Sequence, residues 1–290
     1  MLADGTTLVV PSECVSEVDH TIDDTAPQRL IPTVPLETFY RSLRRLTGSS
    51  SAQFQAIHEA LESRHGPKGA AFLAELFRRS VRHAEAYANI DEGFYSRRKK
   101  RASTKPRFAR VLVETALHQK KIQVGSSSHS VVDYEVFPFR TTYSCMENGR
   151  SASSAGSGGI DLLLASQSDG IYPIVCEVKA ATETVGPTFA LVQSLMYSSQ
   201  LATQNQFIRM GQHYPTLFGS MRPDPPTVGV LILLEKTQKV SRRDLEYAIR
   251  LSQGLCGILS PRLREIMFSW CNIADGSIRC EVIHSDQEPK

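Results

Sequence analysis

In the run YPIVCEVKA, residues 172–180, an otherwise apolar strand carries Glu177 and Lys179 one residue apart. Strand side chains alternate between faces, so Ile174, Cys176 and Val178 point one way and Val175, Glu177 and Lys179 the other. The bland reading is an edge strand with a surface ion pair, which is worth little. The sharper reading is a strand whose polar end enters a reactive cleft. In the preceding strand, IDLLLAS (160–166), Ile160, Leu162 and Leu164 form the apolar face and Asp161 leads the opposite one. A hairpin around QSDG then brings Asp161 beside Glu177 and Lys179. Two carboxylates at close range repel unless a cation sits between them, which suits a hard divalent ion such as Mg²⁺, with Mn²⁺ able to take its place. Such an ion lowers the pKa of a bound water and stabilises charge building on a phosphate under attack. Lys179 would orient or help deprotonate that water and stabilise the transition state.

The order Asp161, fifteen intervening residues, then Glu177-Val178-Lys179 resembles the PD-(D/E)XK nuclease superfamily, the restriction-endonuclease-like phosphodiesterases. The resemblance covers roughly residues 106–235. It implies an α/β fold with a restriction-endonuclease-like mixed β-sheet core flanked by helices. It also implies metal held by Asp161, Glu177 and the backbone carbonyl of Val178, and water positioned by Lys179. An acidic residue on the first core helix faces the site in that family, and Glu114 fits the position. One branch carries Gln-x-x-x-Tyr on the helix after the Lys strand; here QSLMY supplies Gln193 and Tyr197, with Gln193 a site residue and Tyr197 either a contact or a packing group. Two departures are the replacement of the motif's proline by Ile160 and a longer loop before it. DNA is the expected substrate ahead of RNA.

Around this site the patterns alternate. Residues 1–34 show no sustained period and read as a disordered or extended lead. Residues 35–95 read as a helical subdomain of three amphipathic segments. Residues 96–290 read as the nuclease-like domain, with its core at about 106–235 and a C-terminal helix and hairpin at 241–285. Within it a helix at 106–121 has Phe108, Val111, Leu112 and Ala116 on its buried side. A strand follows at 130–143, then a Gly/Ser loop, the two strands above, a long helix at 186–206 and a buried strand at 227–235. Between the two regions lies the densest basic stretch, with Arg97, Arg98, Lys99, Lys100, Arg101, Lys105 and Arg107. It reads as a solvated linker face, a phosphate-contacting surface or a nuclear-import signal.

Composition narrows the class without deciding it. The 290 residues include 33 Lys+Arg and 30 Asp+Glu, so the net charge of +3 does not by itself announce a nucleic-acid binder. The six cysteines lack Cys-x-x-Cys spacing, which argues against zinc and for reduced thiols inside a cell, cytoplasmic or nuclear. No apolar run is long enough for a membrane span. Three functions fit: a Mg²⁺-dependent nuclease, acting alone, as a homodimer or with a partner protein; a catalytically silent relative that binds nucleic acid or scaffolds; and an interaction module in which Glu177 and Lys179 merely pair.

Overall fold

α1 (Pro35–Arg44) places Leu36, Phe39, Tyr40 and Leu43 on one face, and all four are buried. This is the i, i+3, i+4, i+7 stripe that fixes a helix against a core. Its Leu36 N–H, one of the donors a helix start leaves without an internal acceptor, donates to Ser80 Oγ at 2.9 Å. That hydroxyl belongs to α3 (Gly69–Tyr87), which follows α2 (Ser50–Leu61). The computed structural model describes residues 35–44, 50–62, 68–87, 95–96, 107–138, 159–167, 170–183, 185–221, 224–237 and 240–285.

The rest of the chain alternates strands and helices. β1 is Tyr95–Ser96, and α4 (Arg107–Gln119) leads into the hairpin β2 (Lys121–Val124) and β3 (Ser127–Phe137). β4 (Ile160–Ser166) and β5 (Pro173–Lys179) follow, then α5 (Pro187–Leu201), α6 (Gln204–His213), α7 (Pro215–Phe218) and β6 (Val228–Glu235). α8 (Arg242–Leu259), β7 (Leu263–Ala274) and β8 (Ser277–Ser285) complete it. The long helix expected over 186–206 is two helices. Thr203 is extended (φ −119°, ψ 150°) and its side chain accepts from Gln206 N–H, so it caps α6 and ends α5.

The sheet does not have the open, restriction-endonuclease-like form that the motif implied. Seven strands, in the order β3-β2-β8-β7-β6-β5-β4, return to β3 and close into a barrel, with β1 paired to the end of β3. Closure runs through β3, an eleven-residue strand paired along both of its edges. One edge pairs antiparallel with β2 over Ser127–Ser130, and the other pairs antiparallel with β4 from His129 to Val136. β2 then meets β8 in parallel at the single register pair Val124–Cys280, so the ring is closed along a thin seam. β5, β6 and β7 run parallel, and β4 and β8 run antiparallel to their neighbours β5 and β7.

The two faces of this wall pack against different helices. Leu163, Ala165, Val175, Val230, Ile232 and Leu234 share one hydrophobic cluster with α1, α3, α5 and α8. Leu162, Leu164, Ile174, Cys176, Val178 and Leu231 share the other with Ala109, Leu112, Val113 and Ala116 of α4. β4 and β5 are therefore buried on both sides, which explains their near-continuous apolar sequence. Among the described residues, no helix is long and apolar enough to cross a membrane.

One polar side chain inside this packing makes the fold sensitive to acid. His129 on β3 is 1% exposed, and neither ring nitrogen has a hydrogen-bond partner among the described residues. Burial pushes its pKa down from 6.5 to about 4. The unfolded chain thus binds the proton more readily, so stability is full above the unfolded pKa and drains away as pH falls toward the folded one. The expected loss over that window is up to about 3 kcal/mol. Urea melts at neutral and mildly acidic pH should show it in the wild type, and His129→Leu should flatten the dependence. An equally steep decline in His129→Leu would assign it to other groups.

Candidate functional site

Asp161, Glu177, Lys179 and Gln193 meet on the α5 side of the wall, at the C-terminal end of β5. The β4–β5 pairing aligns Leu162 with Cys176, which sets Asp161 next to Glu177. Asp161 Oδ2 accepts from the Val178 N–H at 2.8 Å. Lys179 Nζ donates to Glu177 Oε1 at 2.8 Å and to Gln193 Oε1 of α5 at 3.2 Å. Asp161, Glu177 and Lys179 are 8%, 2% and 4% exposed. In so dry a setting each charge interacts far more strongly with its neighbours than it would in water.

The state of Lys179 follows from that balance. Burial by itself would lower its pKa, but the carboxylates of Glu177, Glu183 and Asp161 outweigh burial and raise it. Lys179 is therefore a fixed ammonium, suited to stabilising anionic charge and unsuited to taking a proton from water. Glu183 also has a defined place: its Oε2 accepts from Ala180 N–H at 2.7 Å just beyond β5. Cys176 faces the α4 cluster, and burial, then Asp161, pushes its thiol well up, so it stays protonated.

Tyr197 lies one turn beyond Gln193 on the buried helix α5. Its hydroxyl is enclosed without a hydrogen-bond partner among the described residues. Burial raises its pKa, with further contributions from Tyr40, Glu177, Asp161 and Glu37. The last of these exposes a residue that the sequence reading passed over. Glu37 of α1 is buried, its Oε1 2.6 Å from Arg41 Nη2, and it belongs to the electrostatic surroundings of Tyr197. Its sequence signal was poor, because Glu37 and Arg41 four apart read as an ordinary exposed helix pair.

Glu114 is not brought to this site. It is exposed on α4, whose apolar side packs against the opposite face of β4 and β5. The helical period already said so: Glu114 is two residues from both Leu112 and Ala116, about 200° around the helix from each. Arg107 is exposed at the first position of α4, while Arg97, Arg98, Lys99, Lys100, Arg101 and Lys105 lie outside the described residues. Asp133 on β3 is buried and accepts from Tyr214 Oη at 2.6 Å.

α5 is held in place from α8. Its N-cap, Gly186, has no side chain to offer, and Asp244 Oδ1 takes that role by accepting from Thr188 N–H at 3.1 Å and from the Thr188 hydroxyl. The Asp244 carboxyl is raised by burial, a shift opposed by the two Thr188 bonds. A Cβ on Gly186 would overlap Asp244 Oδ2. Gly186 has ordinary extended dihedrals (φ −94°, ψ −178°), so the constraint is space and not backbone strain. Gly186→Ala is expected to cost at least about 2 kcal/mol by displacing Asp244 from the start of α5. A thermal melt within experimental error of wild type would show that Asp244 does not seat this helix.

The donor chemistry of Asp161, Glu177 and the Val178 carbonyl is all hard oxygen, which fits Mg²⁺ and not Zn²⁺. Among the described residues there is no group of three or more His, Cys, Asp or Glu placed to hold a metal. An ion here would accordingly rely on two side chains, a peptide carbonyl and oxygens from water or substrate, a set that Mg²⁺ accepts. Comparison of the chain with protein-family models, curated proteins and solved structures found no match.

Proposed function

We propose that the protein is a metal-dependent nuclease that hydrolyses phosphodiester bonds of nucleic acid, DNA ahead of RNA. The observation that carries this reading is the convergence of two carboxylates, an ammonium and an amide from β4, β5 and α5 on one point. Mg²⁺, or Mn²⁺ in its place, would be held by Asp161, Glu177 and the Val178 carbonyl, and when bound supplies an acidified water and charge neutralisation at phosphate. The chain's own groups do the remaining work. Lys179 presents a fixed positive charge to the phosphoryl oxygens, and that charge is worth most where water is excluded. Glu177 holds the ammonium from the strand and Gln193 from the helix, so little reorganisation is needed when charge develops. The order Asp161, Glu177, Lys179 resembles that of PD-(D/E)XK nucleases; the support here comes from the residues, since the sheet is a closed barrel.

The deep burial of Asp161, Glu177 and Lys179 favours a second reading. In it the cluster is structural, and the protein binds nucleic acid or scaffolds without cutting. Incubation with labelled DNA and with RNA of the same sequence, in Mg²⁺ and in EDTA, separates the two. Cleavage in Mg²⁺ that EDTA abolishes supports the nuclease. Retention of nucleic acid without cleavage supports the silent binder.

A further inference from the structure

A concavity lies at the end of the parallel strands opposite the carboxylate cluster. Val228 N–H at the start of β6 donates to the Arg262 carbonyl just before β7, whereas Glu177 and Lys179 end β5 beside Ile232 and Leu234 further along β6. Here a cavity of about 330 Å³ opens between α3 and the last turn of α8. Arg78, Arg82 and Arg262 line it, over apolar surface from Ile258, Pro225 and Pro261.

Two of the guanidinium groups are held by neutral acceptors. Arg78 Nη2 donates to the Ile258 carbonyl at 2.9 Å, and Arg262 Nη1 donates to the Ala202 carbonyl at 3.1 Å. Glu75 supplies a carboxylate, 3.5 Å from Arg82 and 3.9 Å from Arg78, in half-exposed pairs that compete weakly with a ligand. Among the described residues that line the cleft or pair with its arginines, three positive charges face one negative. Main-chain anchoring also pre-orients guanidinium forks, which suit phosphate oxygens geometrically. Ile258, 38% exposed, forms part of the apolar wall with Pro225 and Pro261.

We propose that this cleft binds a phosphate-bearing ligand with a flat apolar body, the chemistry of a nucleotide. The phosphate sits among Arg78, Arg82 and Arg262, and the base lies against Ile258, Pro225 and Pro261. The site is separate from the carboxylate cluster and stands whether or not that cluster cuts.

The experiment is calorimetric titration in EDTA with adenosine 5′-monophosphate, adenosine and a short oligothymidylate. The monophosphate is expected to bind and adenosine to bind at least about tenfold more weakly, as loss of charge-assisted hydrogen bonds predicts. Arg82→Ala and Arg262→Ala should each weaken the monophosphate by about tenfold, with circular dichroism confirming that both variants fold. Ile258→Asp should weaken it too, because it removes apolar surface and adds a like charge. Oligothymidylate binding that falls in the same variants assigns the site to a nucleic-acid strand; monophosphate binding alone assigns it to a free nucleotide. No binding to the wild type, or binding unchanged in both arginine variants, overturns the proposal.

Discussion

Glu177→Leu is expected to cost the fold about 3 kcal/mol or more, and adding Lys179→Met is expected to return most of it. Lys179 is 4% exposed and its ammonium donates to Glu177 Oε1 at 2.8 Å. Removing the carboxylate strands a positive charge in a dry site, and breaking a buried pair from one side costs about 3–5 kcal/mol. The lower end applies because Glu183, Asp161 and Gln193 still face the ammonium. Replacing both partners by apolar side chains of similar volume removes the stranded charge, and such double replacements are often neutral. Urea denaturation of the two variants measures the difference. Equal stabilities would mean that the pair is not coupled, and the preorganisation argued for Lys179 would go with it.

The second large effect is on rate. Asp161→Asn keeps an acceptor for the Val178 N–H, now 2.8 Å from Asp161 Oδ2, but removes the negative charge. Stability should therefore change little, while Mg²⁺-dependent cleavage should fall by about a hundredfold or more, the scale seen when one preorganised charge-stabilising group is lost. Lys179 is held charged by its carboxylates, so it should add no titration to the rate profile near neutrality. Cleavage by Asp161→Asn at the wild-type rate would remove Asp161 from the mechanism.

What could be read from the sequence was local. Face alternation in IDLLLAS and PIVCEVK gave the grouping of Asp161, Glu177 and Lys179, because a hairpin with a short turn leaves few registers open. The stripe Leu36, Phe39, Tyr40, Leu43 gave α1 and its buried side. Barrel closure was not legible, because a strand's period tells which residues share a face and not which strands lie along its edges. β3 pairs with both β2 and β4, and the Val124–Cys280 contact joins positions far apart in the chain. β2, only four residues long, was missed: the helix pattern was carried to residue 121 and the next strand was begun at 130. Thr203 was read as helix interior although its side chain is a good N-cap. Glu114 was assigned from the resemblance against the helical period of its own segment. Glu37 was out of reach, since its approach to Tyr197 depends on how α1 packs on α5.

The proposed nuclease stands on Asp161 and Glu177 holding a divalent ion beside the Lys179 ammonium. The most direct measurement is anomalous scattering from crystals soaked in Mn²⁺. A manganese peak is expected between the Asp161 and Glu177 carboxylates, within coordination distance of the Val178 carbonyl and lost in Asp161→Asn. Manganese bound elsewhere while this pair stays empty, or a peak unchanged in Asp161→Asn, would contradict it.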